Sequence, residues 1–280
     1  PKECAAWERR PAGELDRSEA AILADLDGDG LPDYLLNSYN ATNPVCYWKL
    51  TREGGTGTFV RRKLGQPGML HGQGVGDIDG DGRVDVITPF GWYRAPEDRA
   101  AGTWEWNFWP EDILTREDKG LKKKAIGHCG IPMAVLDLTG DGLNDMVIGQ
   151  GHDYGFEWYE QVQQADGSRG WKIHPIDMTF SQVHTLTVAD LDGDGAPEIV
   201  TGKRWRAHGQ KGDPGAEEPQ CLFWFKWIAA ERRFEKHAVS YDRNAGIGMQ
   251  IVAADLDGDG DADLATAGKG GLHVFYNQGR

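Results

Sequence analysis

The sequence contains few cysteines and no long hydrophobic run. Only four of its 280 residues are cysteines (Cys4, Cys46, Cys129 and Cys221). Their spacing matches no zinc-binding motif, and they are too sparse for a disulfide-rich scaffold. One or two disulfides and buried free thiols are both compatible with this distribution. Because no stretch of about 18 apolar residues occurs, the sequence predicts no membrane-spanning helix.

Basic residues are also in the minority. The chain has 30 lysines and arginines against 44 acidic residues, and its net charge is −14. The basic residues form no extended stripe, which argues against a nucleic-acid partner. The run Lys122–Lys124 is expected to be a solvated turn. Twenty of the acidic residues lie in five short segments. The acidity therefore belongs to local sites and not to a disordered acidic tail.

Those segments are five copies of one acidic nonapeptide. Acidic residues stand at positions 1, 3, 5 and 9, glycines at positions 4 and 6 let the backbone fold back, and position 7 offers a carbonyl. This oxygen-rich arrangement suits Ca²⁺ better than Mg²⁺, and it predicts up to five structural calcium ions. The third copy is the weakest, because Thr139 replaces an acid. The predicted ligands are Asp25, Asp27, Asp29, Leu31 and Asp33; Asp77, Asp79, Asp81, Arg83 and Asp85; Asp137, Thr139, Asp141, Leu143 and Asp145; Asp190, Asp192, Asp194, Ala196 and Glu198; and Asp255, Asp257, Asp259, Asp261 and Asp263.

The loops differ from EF-hands. An EF-hand loop needs a bidentate acid at position 12, and here that position holds Leu36, Thr88, Ile148, Thr201 and Thr266. The flanking segments read as strands, so each loop joins two strands. An Asp/Gly turn without a metal explains a single copy but not five copies in one frame. Calcium loops of low affinity need the calcium concentrations found outside the cytosol, which predicts an extracytoplasmic protein.

The nonapeptides recur at intervals of 52, 60, 53 and 65 residues. Each interval contains an apolar strand, the acidic loop, a second strand, an aromatic strand and a fourth strand, which is the pattern of a propeller blade. The last repeat ends after its aromatic strand, and the segment 4–7 resembles an unpaired fourth strand. The sequence thus predicts an all-β protein: one domain over residues 1–280, a five-bladed β-propeller of four-stranded antiparallel blades, closed by the N-terminal strand.

These Asp-Leu-Asp-Gly-Asp-Gly loops between two strands resemble the FG-GAP/VCBS repeat family, which includes the calcium-loop blades of integrin α-subunits. The resemblance covers essentially the whole chain. It implies a β-propeller with Ca²⁺ in the turns between the first and second strands. It does not fix function, because such blades serve adhesion, carbohydrate binding and polysaccharide lyases. A fainter resemblance links the chain to the propeller domains of aldos-2-ulose dehydratase and polysaccharide lyases.

The face opposite the acidic loops is rich in polar residues. His71 and His184 both stand six residues before the first aspartate of a loop, so their side chains should approach the same axis. Insertions at 110–127 and 203–220 lie on this face. Imidazoles there could bind Zn²⁺ or another divalent metal, or act as acid and base. Alternatively, they cap the channel and bond to carbonyl groups. The candidate catalytic residues are His71, His128, His152, His184 and Arg204.

A substrate pocket is expected beside these histidines. Trp205 stands among basic residues, where it could stack on a sugar while they attract an anionic group. We therefore expect a carbohydrate lyase or dehydratase that acts by elimination; the alternative is a non-catalytic module that binds glycans or proteins. Convergence of the histidines would favour the enzyme. The candidate substrate-binding residues are Gln73, Gln182, Gln250, Lys203, Trp205 and Lys269.

Overall fold

The computed structural model describes residues 18–38, 40, 42–52, 57–66, 71–110, 113, 115–118, 121–124, 128–209, 212–242 and 244–279, with only the backbone of 115–118 and 121–124. The first two blades contain β1 (Ala21–Ala24), β2 (Asp33–Leu36), β3 (Val45–Thr51) and β4 (Thr58–Gly65), then β5 (Gly74–Gly76), β6 (Asp85–Thr88), β7 (Gly91–Arg94) and β8 (Glu105–Phe108).

A hairpin separates the second and third blades, and it consists of β9 (Thr115–Asp118) and β10 (Leu121–Lys124). The third blade contains β11 (Ala134–Leu136), β12 (Asp145–Gly149), β13 (Tyr154–Gln163) and β14 (Arg169–Ser181). The fourth contains β15 (Leu186–Ala189), β16 (Glu198–Lys203), β17 (Cys221–Ile228) and β18 (Arg233–Tyr241), with a 3₁₀ turn at Ala229–Glu231. The fifth contains β19 (Ile251–Ala254), β20 (Asp263–Gly268) and β21 (Gly271–Phe275).

Every blade is an antiparallel sheet whose strands follow chain order. The last residue of each first strand pairs with the acid at loop position 9, as Ala24 pairs with Asp33 and Ala254 with Asp263. The first strands of successive blades contact each other, from β1 to β5, β11, β15 and β19. This arrangement confirms the predicted all-β, five-bladed propeller.

The fifth blade has three strands within the described residues. Its β21 exposes Leu272 and Val274, which are 73% and 42% accessible to solvent. The predicted ring-closing strand at 4–7 lies outside the described residues. A cleft between Ala21 and Met249 marks where the first and fifth blades meet.

The core lies between the blades because the second and third strands of each blade carry the apolar side chains. Leu26, Leu35, Tyr47, Val86 and Tyr93 are buried between the first and second blades. Similar clusters fill the next three junctions. The propeller is therefore held together by four apolar interfaces within the described residues.

Two smaller expectations have different outcomes. The prediction that Lys122–Lys124 is a solvated turn is wrong, because this run lies in β10 and pairs with β9. The cysteines Cys46, Cys129 and Cys221 are buried free thiols, and Cys4 lies outside the described residues. Among the described residues, the structure contains no helix long and apolar enough to cross a membrane.

Candidate functional site

The acidic loops share one backbone conformation. In the first loop the carboxylate of Asp25 accepts hydrogen bonds from the amides of Gly28 and Gly30, at 2.7 and 3.1 Å. Both glycines have φ of +80°, a region that other residues rarely adopt. The first aspartate of each remaining loop accepts the same kind of bond from a loop glycine. The Asp and Gly positions of the motif thus fix the loop fold.

The acid at position 9 lies beneath the loop. Asp85 accepts hydrogen bonds from the amides of Ile78 and Ala95, so it joins the loop to the third strand. Burial raises the pKa of Asp85 to about 7, and it raises the pKa values of Asp33 and Asp145 to about 6. A bound cation would counter this cost of burying a carboxylate.

The residues of the loops fit a hard cation. One carboxylate oxygen of Asp33, one of Asp145 and the hydroxyl of Thr139 are buried without a hydrogen-bond partner among the described residues. Three loops each place oxygens of three acids within 4.8 Å of one another. These sets are Asp25, Asp27 and Asp29; Asp77, Asp79 and Asp85; and Asp190, Asp192 and Asp194. Calcium prefers such oxygen ligands, and calcium in all five loops stays a prediction.

Position 7 contributes to the loop through its backbone. The amide of Leu31 donates a hydrogen bond to Asp29, and the amides of Arg83, Leu143, Ala196 and Asp261 donate to the position-5 aspartates of their own loops. The use of the position 7 carbonyls as ligands stays a prediction.

Three histidines converge on the opposite face. One ring nitrogen from each of His71, His152 and His184 lies within 4.8 Å of the other two. The ring centroids of His71 and His152 are 4.4 Å apart, and those of His152 and His184 are 4.8 Å apart. His71 and His184 precede the first strands of the second and fourth blades, and His152 follows β12 of the third. We call these three residues the axial histidines.

Their Nδ1 atoms already have partners. Nδ1 of His71 lies 2.5 Å from the carbonyl of Cys129, and Nδ1 of His184 lies 3.3 Å from the carbonyl of Gln182. Nδ1 of His152 lies 3.3 Å from a carboxylate oxygen of Asp213. An Nδ1–H that donates to an acceptor leaves Nε2 with its lone pair, which is the usual arrangement of a metal-binding histidine.

Burial keeps these rings neutral. It lowers the pKa of His71 to about 4 and that of His184 to about 2, with further contributions from neighbouring histidines and, at His184, from Arg204. Burial also lowers the pKa of His152, although Asp213 opposes the shift. Nε2 of His184 is buried without a partner among the described residues. Neutral imidazoles with such a nitrogen can hold Zn²⁺ or a similar ion.

Glu19 is the axial residue that the sequence reading missed. Its carboxylate lies 3.5 Å from Nε2 of His71 and 3.0 Å from the guanidinium of Arg204. The signal was available: Glu19 stands six residues before Asp25, the same offset that singles out His71 and His184. Equivalent positions in three blades therefore meet at one place.

Two further histidines surround the axial set. His128 is exposed, and its ring centroid lies 5.8 Å from that of His152. The ring of His208 stacks on His152 at 4.6 Å, and its Nδ1 lies 3.1 Å from Asp213. Of the predicted catalytic residues, His71, His152 and His184 thus meet directly, while His128 and Arg204 lie at the edge.

The candidate substrate-binding residues are more dispersed. Gln73 is buried and donates to the carbonyl of Leu35, and Lys269 donates to the carbonyls of Arg206 and Ala207. Gln182 is buried beside the site and accepts a bond from Ala207. The side chains of Gln73, Gln182 and Lys269 thus hold neighbouring backbone segments together near the centre of the propeller.

The remaining candidates lie in three environments. Lys203 is fully buried, and burial lowers its pKa. The guanidinium carbon of Arg206 lies over the ring of Trp205, 4.6 Å from the ring centroid. Gln250 is exposed and lines the cleft between the first and fifth blades. Trp205 is thus the one aromatic ring among these candidates, with Arg206 over one of its faces.

The family model described as FG-GAP-like repeat matches residues 25–88 and 137–201. Residues 25–88 and 137–201 therefore carry FG-GAP-like repeats. The matched segments span the acidic loops and second strands of the first four blades, so the matches lie where the blades repeat. No curated protein matches the chain.

Two solved structures are similar to this FG-GAP propeller. One is the V. cholerae biofilm matrix protein Bap1, with 14% identity and a TM-score of 0.32 over 93% of this chain and 68% of that one. The other is rhamnogalacturonan lyase YesW, with 17% identity and a TM-score of 0.32 over 93% of this chain. The FG-GAP propeller spans 42% of the lyase's length.

Proposed function

We propose that this FG-GAP propeller binds a divalent transition metal through the axial histidines and carries out an elimination reaction on a carbohydrate. The observation that carries the proposal is the convergence of His71, His152 and His184, each with its Nδ1 directed to a separate acceptor. Three neutral imidazoles are the ligand number of a catalytic zinc site, and His71, His152 and His184 would hold such a metal.

A metal bound there would act as a Lewis acid on a substrate carbonyl. Glu19 is placed to accept a proton from the carbon beside that carbonyl, because its carboxylate lies 3.5 Å from Nε2 of His71. The electron pair of the broken C–H bond becomes the new C=C bond. The oxygen on the next carbon leaves with the C–O electron pair and takes up a proton, for which the exposed His128 and His208 are the nearest histidines.

The choice of a carbohydrate rests on the residues around the axial histidines. Trp205 offers an aromatic ring, and Arg204 and Arg206 beside it pair with Glu19 and Glu217, carboxylates that an anionic group of the substrate would replace. This combination suits a sugar that bears a carboxylate, such as a uronate. Calcium in the acidic loops and an extracytoplasmic location belong to the same proposal, since such loops need abundant calcium.

Metal analysis by mass spectrometry, with protein purified without a metal-affinity tag, tests the metal site. We expect about one equivalent of zinc or a similar metal in the wild type and a loss of most of it in His152→Gln. The matched control is His237→Gln, because His237 lies on β18 beside Glu235 and outside the axial set. A transition metal retained in His152→Gln would contradict the proposed ligand set.

The same proteins should then be incubated with polysaccharides that contain uronates, and the ultraviolet absorbance of the new C=C bond should be followed. The wild type and His237→Gln should produce the unsaturated product, while His152→Gln should lose at least about a hundredfold in rate. Binding of the polysaccharide without any unsaturated product would favour the non-catalytic binding module instead.

A further inference from the structure

Three of the five acidic loops contain a basic side chain from the third strand of their own blade. Lys49 contacts Asp27 and lies 2.8 Å from Asp29. Lys226 contacts Asp192 and lies 2.5 Å from Asp194. In the second blade the guanidinium of Arg94 lies 2.6 Å from Asp79 and 3.0 Å from Asp81. In each case the cation bonds to acids at loop positions 3 and 5.

The three basic residues occupy equivalent places. Strand register puts Lys49 level with Asp33, because the preceding pair is Tyr34 and Trp48. By the same register Arg94 is level with Asp85 and Lys226 with Glu198. In the third and fifth blades this place holds Glu160 and Tyr276. The blades therefore differ at one position that faces the loop.

In the third and fifth blades, the residue level with the position 9 acid brings no basic group to the loop. Glu160 bonds to His174 and Arg232, away from the third loop. No ion pair among the described residues involves the acids of the fifth loop, which has five carboxylates and six consecutive exposed positions from Asp255 to Gly260. In each loop with a basic side chain, three acids place oxygens within 4.8 Å of one another. A cation from the chain thus lies beside these converged carboxylates.

We infer that the loops of the first, second and fourth blades carry their own cation, and that Ca²⁺ binds most tightly at the fifth loop. Calcium entering an occupied loop must displace an ammonium or guanidinium from the carboxylates that would be its ligands. Among the described residues, the fifth loop combines the largest number of acids with no such competitor. This inference refines the calcium part of the proposed function and is independent of the axial histidines.

The displacement should weaken calcium binding measurably. A cation about 3 Å from a carboxylate is strongly attracted to it, although partial exposure and salt reduce the energy. We therefore expect the three occupied loops to bind Ca²⁺ at least about tenfold more weakly than the fifth. The third loop has only three carboxylates and should lie between these extremes.

Equilibrium dialysis of the intact chain against radioactive Ca²⁺, at fixed ionic strength, tests this ranking. The wild type should show one tightest site, and Asp257→Asn with Asp259→Asn should abolish it. Lys49→Met and Lys226→Met should each move one weak site at least about tenfold towards tighter binding. Lys236→Met is the matched control, because Lys236 pairs with Asp177 away from the loops and should change nothing. Circular dichroism confirms that each variant is folded.

The outcomes separate the two proposals. Five sites of equal affinity, unchanged by either lysine substitution, would overturn the internal-cation inference and leave calcium binding intact. No calcium bound at all would overturn the calcium proposal itself. A tightest site that survives the two substitutions in the fifth loop would show that the ranking is wrong.

Discussion

Glu19 lies 3.5 Å from Nε2 of His71, and its role can be separated from that of the axial histidines. If it accepts the substrate proton, Glu19→Gln should lower kcat by about a hundredfold to ten-thousandfold and leave KM and the bound metal nearly unchanged. Steady-state kinetics and metal analysis measure both effects. Glu235→Gln is the matched control, because it removes a carboxylate beside another histidine. Loss of the metal in Glu19→Gln would make Glu19 a ligand.

Lys203 is a second residue whose behaviour follows from its surroundings. Burial lowers the pKa of its amine, so the folded protein binds this proton less well than the unfolded chain does. Its unfavourable effect is therefore largest at neutral pH and fades as the pH rises towards the ordinary lysine value. Lys203→Met should raise the free energy of unfolding at pH 7, and the gain should shrink near pH 10. Urea unfolding at both values measures it. An equal gain at both pH values would point to packing alone.

At the scale of elements, the interface between neighbouring blades carries the stability. Leu35 on β2 is fully buried between the first and second blades, while Leu23 on β1 is 60% exposed. Leu35→Ala should lower the free energy of unfolding by about 2–5 kcal/mol because it leaves a cavity. Leu23→Ala, the control in the same blade, should change it by less than about 0.5 kcal/mol. Equal effects would contradict the assignment of the core to the blade junctions.

The strands were predictable because each acidic loop fixes the ends of two of them. Asp33 and Asp263, the acids at position 9 of their loops, are the first residues of the second strands β2 and β20, as the motif predicts. The hairpin of β9 and β10 was not predictable, since Thr115–Asp118 and Leu121–Lys124 lack the alternation of apolar residues that marks a strand. Local backbone pairing, without a buried face in the sequence, produced these two strands.

At the scale of the whole molecule, chelation should weaken the propeller. A ligand that binds only the folded state stabilises it by mass action, by about 2.7 kcal/mol at a hundred times its dissociation constant. We expect EGTA to lower the melting temperature measured by differential scanning calorimetry, and excess Ca²⁺ to restore it. Asp257→Asn with Asp259→Asn should reduce this sensitivity, because it removes the contribution of one site. A melting temperature unaffected by EGTA would count against structural calcium.

The two sides of the propeller were predictable to different extents. The acidic loops are contiguous motifs, so the sequence identifies them directly. The basic residues that contact them follow the position 9 acid at separations of 16, 9 and 28 residues for Lys49, Arg94 and Lys226. Only strand register makes these positions equivalent. The histidine site combines both kinds of information, since a constant offset reveals His71 and His184 while His152 joins them through a turn.

The constant offset has a consequence for how such a site can change. Three blades bring the residue at the sixth position before the loop to one place, and in the third and fifth blades that position holds Ile131 and Met249. These positions lie on short connections, outside the strands that hold the blades together. One substitution there can add or remove a functional group at the centre without disturbing a blade. The strands that stabilise the propeller are thus separate from the residues that determine the chemistry at its centre. Related chains could therefore acquire new chemistry by substituting one of these central residues at a time.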